Sequence, residues 1–350
     1  MRRLPVWLVS LGTVALFVFS VQLLGGATQS LAPVIESILE EVVTGDGSAL
    51  GLGWIASYLI ANGSVVAAVA VSFVSVDLLT PSQTYLMVAG SRLGGAGIVM
   101  VIGGVDYLLD RQHPFGESVS LGSLSFVLTY SVYLPATVLG YLGKDSLYPV
   151  FETGVSSGYA YLGGGLSVSP FRYLIRLSLE FFGGFASAVL AVFLLFGSLR
   201  ILDSLSETID INLFRKNYLD HLRNRWLWLL FGLIVTAVTA SVAFSIGITV
   251  PFYNRGYVKR KEMVPYILGA NISTLFDTFV ASLALTSPKG TTVIVYLFAV
   301  STVVTVGILV FYDSYYAGVE YVHDRLVEDT RFLAGFLVVI LGLPLGLLLV

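Results

Sequence analysis

The sequence predicts an all-α polytopic membrane protein built from two inverted repeats. Each repeat holds a re-entrant helical hairpin and a broken transmembrane helix, and one further helix closes the chain. Three observations carry this prediction. The 350 residues are 56% hydrophobic and only 12% charged, with a mean hydropathy of +0.87, whereas about a quarter of the residues in a soluble domain are charged. Several apolar stretches are interrupted at their middles by Gly, Asn, Ser, Thr or a charge. The order of these stretches in the first half recurs in the second, which is the pattern of paired repeats with discontinuous helices.

Composition also excludes whole classes of chemistry. With no cysteine, disulfides, thiolate metal sites and cysteine nucleophiles are ruled out. The three histidines, His113, His221 and His323, fall in charged connecting stretches, so no cofactor or intramembrane metal centre built on imidazole is expected. No basic tract suits nucleic acid. The glycine-rich run at 94–104 follows no strand, so it is not a nucleotide loop. Hydroxyls near Asp277 have neither histidine nor cysteine beside them to complete a nucleophile–base pair, so the chain is not expected to be an enzyme.

The first repeat is expected over 1–142. Its apolar run after Arg3 is longer than the core of a signal peptide and reads as a retained first span, 4–24. Residues 30–43 alternate apolar and acidic groups at helical spacing, as in an interfacial amphipathic helix. Residues 50–79 form two apolar arms meeting at Asn62-Gly63-Ser64. Each arm is too short to cross a bilayer and Asn-Gly is a turn signal, so the segment reads as a re-entrant hairpin. A broken helix follows over 83–108, interrupted at Ala89-Gly90-Ser91-Arg92-Leu93-Gly94, and then a span over 119–142. The connection at 143–170 is rich in Gly, Ser and Tyr with few charges, and reads as an exposed extracytoplasmic loop.

The second repeat is expected over 171–312. It opens with a long span at 173–202 and a basic connector, followed by paired arms over 226–253 centred on Thr239-Ala240-Ser241. A broken helix over 264–285 and a span over 291–310 complete it. Phe19 matches Phe196 and Ser64 matches Ser241 at one offset. Gly90 matches Gly269 at a slightly larger offset, absorbed by the longer linker before 264. Three crossings per half make the second copy inverted. A charged cytoplasmic connector and a final helix occupy 313–350.

Sidedness follows from Lys and Arg, which are enriched on cytoplasmic loops. Of the 19, Lys144, Arg172, Arg176 and Lys289 fall on one side and Arg92 within the membrane, while the rest share the side of Arg2 and Arg3. The N-terminus is therefore expected in the cytoplasm of a cell whose plasma membrane the chain crosses. Trp226, Trp228, Tyr315 and Tyr316 suit the interfacial aromatic belts.

The stretch 264–285 concentrates the polar cost. Gly269, Asn271, Ser273, Thr274 and Asp277 sit mid-span, where ionisable groups are expensive and mark pathways. Small residues there also suit close helix packing, which has no use for a carboxylate. Arg92 is the one Lys or Arg placed deep in a span. A guanidinium either binds an oxyanion through two N–H groups or takes the place of a coupling cation. Asp277 would serve as its counter-charge or as a proton carrier; a purely structural pair is the alternative.

The hairpins and broken helices together resemble the type II sodium–phosphate cotransporter family over about residues 11–310. The motif Gly269-Ala270-Asn271-Ile272-Ser273-Thr274, preceded by Val264-Pro265-Tyr266-Ile267-Leu268, carries the likeness. Thr236-Ala237 and Ser241 stand at the second hairpin tip and Asn62, Gly63 and Ser64 at the first. Arg92 replaces the family's asparagine in the first broken helix. The resemblance implies alternating-access uptake of inorganic phosphate or a related oxyanion with sodium as the coupling ion. It implies a site of Asn62, Ser64, Gly90, Ser91, Ser241, Gly269, Asn271, Ser273 and Thr274, with sodium near Ser64, Ser241, Asn271 and Thr274. To these the residues themselves add Arg92 and Asp277. A proton-coupled or uncoupled relative, and a non-transporting scaffold of the same fold, are the competing functions; monomer and homodimer suit the composition equally.

Overall fold

The computed structural model describes residues 6–109, 120–162, 170–206, 224–239, 245 and 258–350. Among them every regular element is a helix. The chain runs α1 (Val6–Ser30), α2 (Ala32–Val42), α3 (Asp46–Ile60), α4 (Gly63–Ser75), α5 (Pro81–Leu109), α6 (Ser120–Leu142) and α7 (Lys144–Leu162). It continues as α8 (Arg172–Ser206), α9 (Arg225–Thr239), α10 (Arg260–Ser273), α11 (Leu275–Ala284), α12 (Pro288–Val310), α13 (Tyr312–Glu328) and α14 (Thr330–Leu348). Six helical stretches are long and apolar enough to cross a membrane: Leu8–Ser30, Ser123–Leu142, Arg172–Leu205, Arg260–Ala284, Pro288–Val310 and Thr330–Leu348. The protein is a multi-pass membrane protein.

The apolar arms at 50–79 form the paired helices α3 and α4. Ala61 takes a left-handed conformation (φ 53°) at the end of α3. Asn62 then caps α4, its Oδ1 accepting from the Ser64 and Val65 amides at 2.9 and 3.1 Å. This satisfies donors that a helix start leaves free.

Glycine lets α3 and α5 cross backbone to backbone. A Cβ on Gly53 would stand 2.0 Å from the Met87 carbonyl oxygen, and one on Gly90 2.2 Å from that of Leu50. The same crossing joins α9 and α10: a Cβ on Gly232 would stand 2.0 Å from the Tyr266 oxygen, and one on Gly269 2.0 Å from the Leu229 oxygen. Each pair is related to its counterpart by one common offset along the chain. At that offset α3 and α9 coincide over 15 residues each, and α5 and α10 start together. This offset is already set in the first arm, ahead of the linker before 264 where the sequence places the shift; Ser241 lies outside the described residues.

Four further readings need correction. The helix α5 runs unbroken through Gly90, Arg92 and Gly95 to Leu109. Its glycines are used for close crossing, so they do not interrupt the backbone. Only the second member of the pair has a discontinuity, at Thr274 between α10 and α11. The expected loop at 143–170 is the helix α7 over Lys144–Leu162, laid on α12 with the Tyr159 hydroxyl 2.8 Å from Thr291 Oγ1. The connector after 312 is likewise helical, and His323 is buried within it. Trp228 is buried, packed on Phe231 and Tyr266, and so is not an outward-facing belt residue.

The helix α8 changes direction at Gly183 (φ 74°), a conformation that favours glycine. It packs along α1, where Gly26 meets Ile175 and Leu179. The last helix, α14, lies on α3: a Cβ on Gly51 would stand 2.7 Å from the Pro344 oxygen, and the Tyr58 hydroxyl donates to the Ile340 carbonyl at 3.0 Å. Ion pairs gather at two opposite ends. Asp46–Lys144 (3.2 Å) and Asp77–Lys289 lie at the end where α3 and α5 begin. Arg260–Asp324 (3.3 Å) and Lys261–Asp313 (2.6 Å) lie at the end where α10 begins. These partners are residues that charge bias assigns to a common side.

Candidate substrate and ion site

The N-terminus of α4 meets α5 midway along its length. A Cβ on Gly63 would stand 2.4 Å from the Ser91 carbonyl oxygen, so only glycine admits this approach. It brings Ser64 beside Arg92, whose Nη1 donates to Ser64 Oγ at 3.2 Å. The other guanidinium nitrogen donates to Thr278 Oγ1 and lies 3.5 Å from Asp277 Oδ1. Thr278 in turn donates to Asp277 Oδ1 at 2.9 Å. Both charged side chains are withdrawn from solvent, with relative exposures of 6% and 11%. Arg92 Nε is buried without a partner.

A second polar cluster adjoins the first. Asn271 Oδ1 accepts from Thr129 Oγ1 at 3.1 Å, and its carbonyl accepts from the Tyr133 hydroxyl at 2.9 Å and from Thr274 Oγ1 at 2.7 Å. Tyr133 and Thr274 hydroxyls are 3.0 Å apart. The Asn271 Nδ2 amide and the Ser273 hydroxyl are buried and unpartnered. A buried polar group without a partner costs free energy, so these donors mark a place for an acceptor. Tyr133 links the clusters, lying within electrostatic range of both Arg92 and Asp277.

The predicted residues thus divide. Ser64, Arg92 and Asp277 come together, and Asn271 and Thr274 form the neighbouring cluster with Ser273 beside them. Asn62 stands one step back as the cap of α4. Gly90 and Gly269 lie at helix crossings, and Ser91 spends its hydroxyl on the Val88 carbonyl at 2.7 Å. Ser241 lies outside the described residues, as does most of the stretch 240–257 where the return of the second hairpin is expected. Ser245, which is described, bonds to Thr236 Oγ1 and the Tyr266 hydroxyl, each at 2.7 Å.

Three participants were not singled out from sequence: Thr278, Thr129 and Tyr133. A signal existed. Ser125, Thr129, Tyr133 and Thr137 recur every fourth residue on an otherwise apolar helix, which puts their hydroxyls on one face. Among the described residues no group of His, Asp and Glu is arranged to hold a multivalent metal.

The family described as Na+/Pi-cotransporter matches the chain over residues 16–146 and 193–345. The chain belongs to that family. The matched segments of this cotransporter-family chain contain every residue of both clusters. Comparison with curated proteins and with solved structures gives no significant match. Membership is of a transporter family, not an enzyme family.

Proposed function

We propose that the chain carries inorganic phosphate into the cell together with sodium, by alternating access between two inverted repeats over 1–142 and 171–312. Family membership supplies the ions. The observation that carries the site is the pair of unpartnered buried donors, Asn271 Nδ2 and Ser273 Oγ. Free buried donors suit an oxyanion.

Charge balance supports cation coupling. Arg92 and Asp277 neutralise one another, so an anion entering this buried setting brings an uncompensated charge. Such burial is prohibitive without a partner ion. A cation entering with phosphate removes the penalty, and the carbonyl and hydroxyls around Thr274 are the oxygen ligands that suit sodium.

The repeat reading is supported by the matched helices α3 and α9 and their glycine crossings with α5 and α10. The lysine and arginine bias and the end-by-end ion pairs favour a cytoplasmic N-terminus in the plasma membrane. The test is uptake of labelled phosphate into proteoliposomes under an imposed sodium gradient. Accumulation that collapses when choline replaces sodium supports the proposal. Accumulation unaffected by that replacement removes sodium coupling, and no accumulation removes transport of phosphate.

A further inference from the structure

Arg92 is oriented toward the protein. An arginine that receives an anion turns its paired Nη groups toward it, yet both Nη groups here are turned to oxygens of the chain and Nε alone is left without a partner. Ser64 Oγ comes from the tip of the first hairpin, and Thr278 Oγ1 and Asp277 Oδ1 come from α11 in the other half. Thr278 gives its own proton to Asp277 at 2.9 Å, so the lone pairs of its oxygen are what face the guanidinium. Two hydroxyl oxygens and a carboxylate converging from opposite sides on one positive group are the donor set of a monovalent-cation site. The matching position in the second half, by the offset that relates Gly53 to Gly232, is Asn271. There the side chain is neutral and keeps a free donor. One half thus holds a fixed positive charge at this position and the other a neutral side chain.

We infer that Ser64, Asp277 and Thr278 form a monovalent-cation site that the chain fills with its own guanidinium, Arg92 acting as a tethered cation. Resting on the cotransport reading above, the consequence is that this position takes no sodium during transport. Any coupling sodium binds elsewhere, and phosphate moves with one cation fewer than in a variant lacking Arg92.

The site itself is tested by binding, without transport. The purified chain and Arg92→Ala, in nanodiscs, are melted in choline chloride with and without methylguanidinium, and separately with sodium chloride. Arg92→Ala should gain about 5 °C at saturating methylguanidinium, the unaltered chain should gain nothing, and Arg92→Ala/Asp277→Asn should lose the response. Sodium should stabilise Arg92→Ala more than the double variant. A folded Arg92→Ala indifferent to both cations, or a response that survives loss of the carboxylate, overturns the inference and leaves a structural ion pair. Should Arg92→Ala not be recovered in ordinary buffer, it is prepared with methylguanidinium throughout; recovery there supports the site and failure there overturns it. Absent phosphate uptake with an intact methylguanidinium response would sink the transport reading alone.

Discussion

At the scale of single residues, the buried pair Arg92–Asp277 is the most sensitive point. Desolvating two charges is repaid only while both are present. Asp277→Asn should therefore destabilise the chain by about 3–5 kcal/mol, measured by thermal or SDS unfolding, and adding Arg92→Ala should recover much of that loss. A single variant as stable as the unaltered chain would show that water reaches the pair. Asn271→Asp removes a free donor and adds repulsion toward an oxyanion. Phosphate affinity should fall by at least ~10-fold, since one lost hydrogen bond to a charged group is worth about 1.5–3 kcal/mol; isothermal titration in sodium buffer reads it. Arg92 and Asp277 were legible in the sequence because charges at mid-membrane are rare. Thr278 and Tyr133 were not, because hydroxyl side chains are common on membrane helices, and only packing shows which of them face the site.

At the scale of elements, the glycine crossings decide which helices move together. Gly53→Ala and Gly232→Ala each force a methyl to 2.0 Å from a carbonyl oxygen. Each should cost roughly 3 kcal/mol by overpacking, and near-equal losses in melting temperature would check the equivalence of the two crossings. Gly307→Ala, where a Cβ meets nothing within 4 Å, is the matched control. Asp46 starts α3 and ties it to α6 and α7. Burial pushes its carboxyl up, but hydrogen bonds from Tyr141 and Lys144 and the charge of Lys144 outweigh this and hold it below its ordinary value of 3.8. A depressed carboxylate contributes stability above its unfolded pKa and loses it as pH falls through the lowered value. Asp46→Asn should cost about 1 kcal/mol at pH 7, a difference that disappears in unfolding scans once the pH has fallen through the lowered pKa. Helix presence was largely readable from apolar length and spacing. Helix continuity at Gly90–Gly95 and the helicity of 144–162 were not, because glycine and serine weaken local propensity while neighbouring helices supply the stability.

At the scale of the whole molecule, the seam between α4 and α11 separates the clusters from the end that carries Asp77–Lys289. That ion pair joins the end of the first hairpin to the start of α12 in the other half. The proposed alternating access would require this seam to part. The chain has no native cysteine, so Asp77→Cys with Lys289→Cys can be bridged by a short thiol cross-linker without background. Bridging should abolish phosphate uptake and reversal with reductant should restore it; uptake that persists in the bridged protein would place the moving parts elsewhere. The sequence by itself determined the membrane class, the helical make-up, the charge bias and the two buried ionisable residues. Each of these follows from the cost of placing polar atoms in hydrocarbon, which acts on every residue locally. Tertiary structure alone decided that Arg92 points at Ser64, Thr278 and Asp277, that Asn271 and Ser273 are left with open donors, and that glycines at 53, 90, 232 and 269 are crossings. Those outcomes depend on which helix faces come together, and that is settled by packing between segments far apart in the chain.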